Sequence, residues 1–138
     1  MNGLYILDAC ALIALLRDEP GADVVEGVFK QALEKTATIV MNKLNLLEVY
    51  YDTCRLYDKR TADMVFEDIQ QLPVVIQSEL TDEVLKEAGR LKASYKISIA
   101  DSVVLAEALV SGGALLTSDH HEFEAVEKSE KIKFHWIR

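Results

Sequence analysis

The chain is predicted to fold as one α/β domain around a mainly parallel sheet, and three observations carry that expectation. Short β-branched and apolar segments alternate with longer segments of helical periodicity, and parallel strands need crossovers of that length. Half of the residues are apolar while Pro and Gly number only 2 and 6, a composition that suits a packed interior rather than disorder. The length, 138 residues, fits a single core, so the expected domain is 1–138 with no linker, repeat or low-complexity segment.

Residues 4–7, Leu-Tyr-Ile-Leu, read as a buried strand that stops at Asp8, and residues 9–16 follow at once as an apolar helix. After the polar turn at Arg17–Gly21, the spacing of Val24, Val25, Val28, Phe29, Ala32 and Leu33 predicts a second, amphipathic helix. Residues 38–41 are strand-like by propensity, and Asn42 is placed to cap a helix carrying Leu44, Leu47, Tyr51, Cys54 and Leu56 on its apolar face. Asp58 can cap a further helix to about Gln71, Pro73–Ile76 looks like a strand, and Thr81 opens a helix with Val84, Leu85, Ala88 and Leu91 inward. Ser98–Asp101 leads into a helix ended by Gly112-Gly113, residues 114–117 form the next strand, and a short helix from His120 and a strand near 132–137 close the chain.

Composition excludes several classes of function. No apolar run approaches the roughly 20 residues of a membrane helix, and the first eight residues lack the basic start of a secretion signal and carry an acid at Asp8, so a cytoplasmic protein is expected. Cys10 and Cys54 lie far apart without metal-ligand companions and are expected as free thiols. The net charge of -8 opposes nucleic-acid binding by bulk electrostatics, leaving local basic contacts or bound metal as the routes to it.

In open parallel sheets ligands bind beyond the carboxyl ends of the strands, and two strands here run directly into an acid, Asp8 and Asp119. Each acid has an ordinary explanation taken singly. Asp8 and Asp119 could cap the helices that follow them, and Asp101 could be a first-turn acid favoured by the helix dipole. Glu48 is different, because it lies beside the apolar face of its helix, and Lys43 and Arg55 are poorly spaced to pair with it.

Leu7-Asp8-Ala9-Cys10-Ala11-Leu12 resembles the opening motif of PIN-domain nucleases, and three further blocks follow in the family's order. Asn45-Leu46-Leu47-Glu48-Val49 resembles the helical glutamate motif, Ile97-Ser98-Ile99-Ala100-Asp101-Ser102 the third acid, and Leu115-Leu116-Thr117-Ser118-Asp119 the strand-end acid. The size is similar to that of the VapC toxins of prokaryotic toxin–antitoxin pairs. The resemblance implies a PIN-like three-layer α/β/α sandwich in which Asp8, Glu48, Asp101 and Asp119 converge on one or two Mg²⁺ or Mn²⁺ ions to hydrolyse RNA. Asp8 and Asp101 would be direct ligands, and Glu48 and Asp119 direct or water-mediated ones. It also implies a homodimer and a small antitoxin whose C-terminal segment enters the acidic crevice with an Arg or Lys. Oxygen donors suit these hard cations, and the Cys/His spacing that selects zinc is absent from the sequence.

Several residues carry narrower expectations. Thr117 resembles the family's supporting hydroxyl, while Cys10 stands where the family commonly has Ser, Thr or Asn and is expected to pack as a small hydrophobe. Glu122 is read as solvated surface, His120 and His121 as ordinary helix-start residues rather than catalytic ones, and Lys92 and Lys96 as a solvated face. Tyr50, Tyr51 and Tyr57 are expected as half-buried packing residues.

A haloacid-dehalogenase-type phosphatase also opens with a strand ending in Asp, but it wants a second Asp where Cys10 stands, and a receiver domain lacks its adjacent acid pair here. The alternatives that keep the resemblance are a catalytically weak PIN-like protein-binding module and a standalone RNA-processing nuclease.

Overall fold

Capping side chains set where most of the helices begin. The computed structural model describes residues 3–138; Met1 and Asn2, which open the segment weighed above against a secretion signal, lie outside the described residues. The first strand, β1 (Gly3–Leu7), passes into helix α1 (Ala9–Leu16) through Asp8, whose carboxylate accepts from the Ala11 N–H at 2.9 Å. Helix α2 (Ala22–Leu33) starts instead from Gly21, held at a φ of 98° where a Cβ would meet the Ile137 side chain at 2.8 Å. Strand β2 (Ala37–Asn42) ends in the cap of helix α3 (Lys43–Leu56), because the Asn42 side chain accepts from Leu44 N–H at 2.8 Å.

Asp58 caps helix α4 (Lys59–Ile69), strand β3 is short (Val75–Gln77), and Thr81 caps helix α5 (Asp82–Ser94). Ser98 caps helix α6 (Ile99–Ser111), which stops at Gly112 with a left-handed φ of 74°. Strand β4 (Ala114–Thr117), helix α7 (His120–Ser129) and strand β5 (Lys133–Trp136) complete the order. The sequence boundaries differ from these by a few residues, most at β3, where Pro73 and Val74 precede the strand rather than belonging to it.

The described strands form one five-stranded sheet in the order β3-β2-β1-β4-β5, with every neighbouring pair parallel. Pairing aligns Tyr5 with Ile39 and Leu7 with Leu116, so alternate residues face opposite sides. Leu7, Ile39, Met41 and Leu116 pack under Leu12, Val25, Phe29, Leu46, Val49 and Ile69 of the first four helices. Ile6 and Leu115 pack under Val84, Leu91, Val104, Leu105, Phe123 and Val126 of the last three. The result is the α/β/α sandwich expected from the resemblance, with strands buried on both faces as parallel sheets require.

The inward face of α3 corrects the sequence reading. Its buried residues are Asn45, Leu46, Val49 and Thr53, whereas Leu47, Tyr51 and Leu56 are exposed by more than half. Hydrophobicity misled here because Thr53 satisfies its hydroxyl within the helix, on Val49 O at 2.8 Å, and so can turn inward. Glu48 sits between buried Asn45 and Val49, so it remains half-buried and turned towards the sheet's end.

The chain leaves β1 for β2 and β3 on one side and returns to β4 and β5 on the other, so the strand order reverses between β1 and β4. A crevice opens beyond the carboxyl ends of strands at such a reversal. Asp8 follows β1 directly and Asp119 follows β4 by two residues, which places both at that point.

Candidate metal centre

Asp8 is the most buried of the four acids. It is 4% exposed, its Oδ1 takes the Ala11 N–H, and the Cys10 thiol lies 3.1 and 3.2 Å from its two oxygens. Burial pushes its carboxyl up to about 6, although bonds from Thr117, Ala11 and Cys10 each hold it down, and the charge of Asp101 adds to the rise.

Glu48 and Asp101 reach the same place from two helices. Asn45, one turn before Glu48, donates from Nδ2 to Glu48 Oε1 at 3.4 Å and to the backbone oxygen of Ala100 at 3.2 Å, tying α3 to the first turn of α6. Burial raises Glu48 above the usual carboxylate range, with the charges of Asp8 and Asp119 contributing. Asp101 is pushed up to about 6, first by burial and then by the charges of Glu48, Asp119 and Glu122. Asp119 caps α7 by accepting from Glu122 N–H at 3.3 Å, and its own N–H donates to the Thr117 hydroxyl at 3.1 Å.

The capping explanations for Asp8 and Asp119 are therefore correct as far as they go, yet the acids also act on one another electrostatically. No Lys, Arg or His forms an ion pair with any of the four among the described residues; the cations pair instead with Asp52, Asp63, Glu87, Glu124 and Glu130. Two carboxylates about 4 Å apart repel by roughly 4 kcal/mol at an effective dielectric near 20, so such a group is stabilised by cations or protons. All the donors are oxygen, which fits a hard divalent ion. Among the described residues no three such side chains stand close enough to close on one ion as posed, so coordination requires rotation of the half-buried Glu48, Asp101 and Asp119. A second sign of fit is Asn45 Oδ1, which is buried without a hydrogen-bond partner at the edge of the group.

Cys10 does more than pack. Its sulfur lies 3.4 Å from the Thr117 hydroxyl and accepts from both the Ser118 N–H and the Ser118 hydroxyl at 3.4 Å, so it joins Asp8 to the end of β4. Burial and the neighbouring Asp8 charge push the thiol up to about 12, which keeps it protonated as a donor. Thr117 is fully buried rather than an exposed strand-end residue. Asn45 and Ser118 were not singled out from the sequence; the position of Asn45 one turn before Glu48 was the available signal.

The remaining candidates make no hydrogen bond from their side chains to the four acids. His120 stacks on Trp136 and donates from Nε2 to the backbone oxygen of Arg138 at 2.7 Å, while His121, Glu122, Lys92 and Lys96 are exposed. Tyr50 is half-buried and donates to Asp63 at 2.6 Å, but Tyr51 and Tyr57 are exposed by more than half, contrary to expectation. Cys10 and Cys54 are free thiols, and no described helix is long and apolar enough to cross a membrane.

Comparison with solved structures gives the same architecture. VapBC2 from Rickettsia felis, bound to a DNA fragment from its promoter, superposes with a TM-score of 0.73 at 17% identity over 96% of this chain and 98% of that one. VapBC-1 from nontypeable Haemophilus influenzae gives 0.71 at 15% identity over 97% and 98%. VapC20 of Mycobacterium tuberculosis, a sarcin-ricin loop cleaving toxin, gives 0.57 at 16% identity over 80% and 86%. No curated protein sequence matches the chain. Residues 5–129 match the PIN domain, a stretch that contains all four acids. The chain belongs to the PIN-domain family.

Proposed function

We propose that this protein is a metal-dependent endoribonuclease, the toxin of a VapBC-type toxin–antitoxin pair. The observation that supports the reading is that the charges of Asp8, Glu48, Asp101 and Asp119 act on one another, with no cationic partner among the described residues, near the point where the sheet order reverses. Asp8 and Asp101 would hold one or two Mg²⁺ or Mn²⁺ ions directly, with Glu48 and Asp119 as direct or water-mediated ligands. A bound divalent ion supplies Lewis acidity towards a phosphodiester oxygen and an activated water. The chain's own part is to hold Asp8 in place and to offer Glu48, Asp101 and Asp119 as carboxylates that would turn towards an ion. Asp8 is held by three bonds, Asn45 aims Glu48, and Thr117 positions Asp119 through its N–H.

One structural relative, from Klebsiella pneumoniae, is described as a toxin–antitoxin complex and another, VapC20, as a toxin that cleaves the sarcin-ricin loop, which supports RNA as substrate and a protein partner. The apolar residues exposed on α3 and α4, Leu47, Tyr51, Leu56, Tyr57 and Met64, suit protein contacts with an antitoxin or a second copy. A single domain in the cytoplasm completes the reading.

The test is incubation of antitoxin-free protein with structured RNAs and Mg²⁺ or Mn²⁺, beside Asp8→Asn, Asp101→Asn and a chelator control. Cleavage by the native protein alone is the expected result. Cleavage that persists in Asp8→Asn or in chelator, or the absence of any cut, would overturn the reading.

A further inference from the structure

A stack of aromatic rings ends beside Asp119 and takes no part in the chemistry described above. Phe134 and Trp136, alternate residues of β5, lie parallel with centroids 5.0 Å apart and an interplanar angle of 10°. The His120 ring stacks in turn on the indole of Trp136 at 3.7 Å and 16°. Two members are fixed by hydrogen bonds: Trp136 Nε1 donates to Glu127 at 2.9 Å and His120 Nε2 donates to the Arg138 backbone oxygen at 2.7 Å. Trp136 pairs in register with Thr117, so the stack stands at the carboxyl end of the sheet, on the β5 side of the acids.

Two further features bear on what the stack is for. His120 covers one ring face with Trp136 yet remains exposed, so its free area is the opposite face and edge. An aromatic ring held in place with one face in water is the element that single-stranded nucleic acid uses as a stacking platform, and it is sequence-tolerant because every base has a π-face. The chain's charge of -8 makes this more pointed, since stacking provides affinity that bulk electrostatics does not supply in an acidic protein. Packing of β5 against α7 is already met by Phe134 against buried Phe123, at 6.0 Å between centroids. The outward step from Trp136 to His120 adds exposed ring rather than core.

We propose that the free face of His120, the outer ring of the His120–Trp136–Phe134 stack, receives one unpaired RNA base next to the scissile position. His120 is thereby a positioning residue that holds the strand beside Asp119. This inference rests on the ribonuclease reading for its substrate, but its test does not depend on cleavage.

The probe is a fluorescein-labelled single-stranded 20-mer oligoribonucleotide of mixed sequence, with affinity read by anisotropy in Mg²⁺ on an Asp8→Asn background. His120→Ala is expected to weaken binding on the order of tenfold, the size of one lost base stack, and His120→Phe to restore it. Because stacking releases no counterions, the ratio between native and Ala affinities is expected to hold between low and moderate salt. In the cleaving protein, His120→Ala is expected to raise KM with kcat little changed. Affinity unchanged in His120→Ala, a loss that Phe fails to restore, or no binding of the RNA at all would overturn the proposal. Binding with the expected dependence but no cleavage by the native protein would uphold the platform and reject the nuclease. Cleavage with an unmoved KM in His120→Ala would do the reverse.

Discussion

The thiol of Cys10 lies 3.1 and 3.2 Å from the two carboxylate oxygens of Asp8, with its lone pairs taken by the N–H and hydroxyl of Ser118. A thiol is a weak donor, so it restrains the rise of Asp8 less than a hydroxyl would. Cys10→Ser is expected to move the acid limb of the cleavage profile to lower pH and Cys10→Ala to higher pH. A hydrogen bond to a charged group contributes roughly 1.5–3 kcal/mol and a thiol's falls at or below the weak end, so the loss in Cys10→Ala at pH 6 is expected to be roughly fivefold. The two profiles measured side by side check this, and coincident acid limbs would refute it.

Metal-free protein is expected to be less stable at pH 7.5 than at pH 5. Asp8 and Asp101 sit near 6 when folded against an ordinary value of 3.8, so between those values the folded chain holds more protons than the unfolded one. Stability then falls as pH rises through that window and stays low above it. Asp52, Asp58, Asp63 and Glu130 are shifted downward and act in the opposite sense, but only as pH falls through the ordinary carboxylate range, below the window tested. Thermal melts with chelator will show this, and Mn²⁺ is expected to raise Tm at pH 7.5 by more than at pH 5. A metal-free Tm higher at pH 7.5 would contradict it.

Asn45 links Glu48 to the start of α6, with one of its own side-chain atoms left unpaired in the interior. Asn45→Ala is expected to lower kcat by about tenfold, the scale of one lost positioning bond, with little change in fold by circular dichroism. A loss of fold with retained specific activity would show that Asn45 is structural alone.

Asn42 does two things at once. Its oxygen caps α3 and its Nδ2 donates to Glu107 Oε1 at 3.0 Å in a buried position that joins β2 to α6. Asn42→Ala removes the cap and leaves a buried acid without that partner, an expected cost of about 2–4 kcal/mol. Urea denaturation measures it, and a change below about 1 kcal/mol would mean that water takes over both bonds.

The order of strands and helices was legible because it depends on local signals. Capping residues at Asp8, Asn42, Asp58, Thr81 and Ser98 mark helix starts, and β-branched runs mark the strands. What escaped the sequence depends on neighbours brought from afar. The thiol of Cys10 gains its role from Ser118, which is 108 positions away, and Asn45 from Ala100. The inward face of α3 was misread because its hydrophobic stripe, Leu47 with Tyr51, faces outward while Asn45 and Thr53 are satisfied inside. An apolar stripe left in water reads in the sequence like one turned to the core.

The central claim is that four acids are gathered to hold divalent ions, and calorimetric titration of chelator-stripped protein with Mn²⁺ at pH 7.5 tests it most directly. The account predicts one or two bound ions, with affinity lost in Asp8→Asn and Asp101→Asn while both variants keep native circular dichroism. Binding of equal strength and stoichiometry in native protein and in both variants would contradict it.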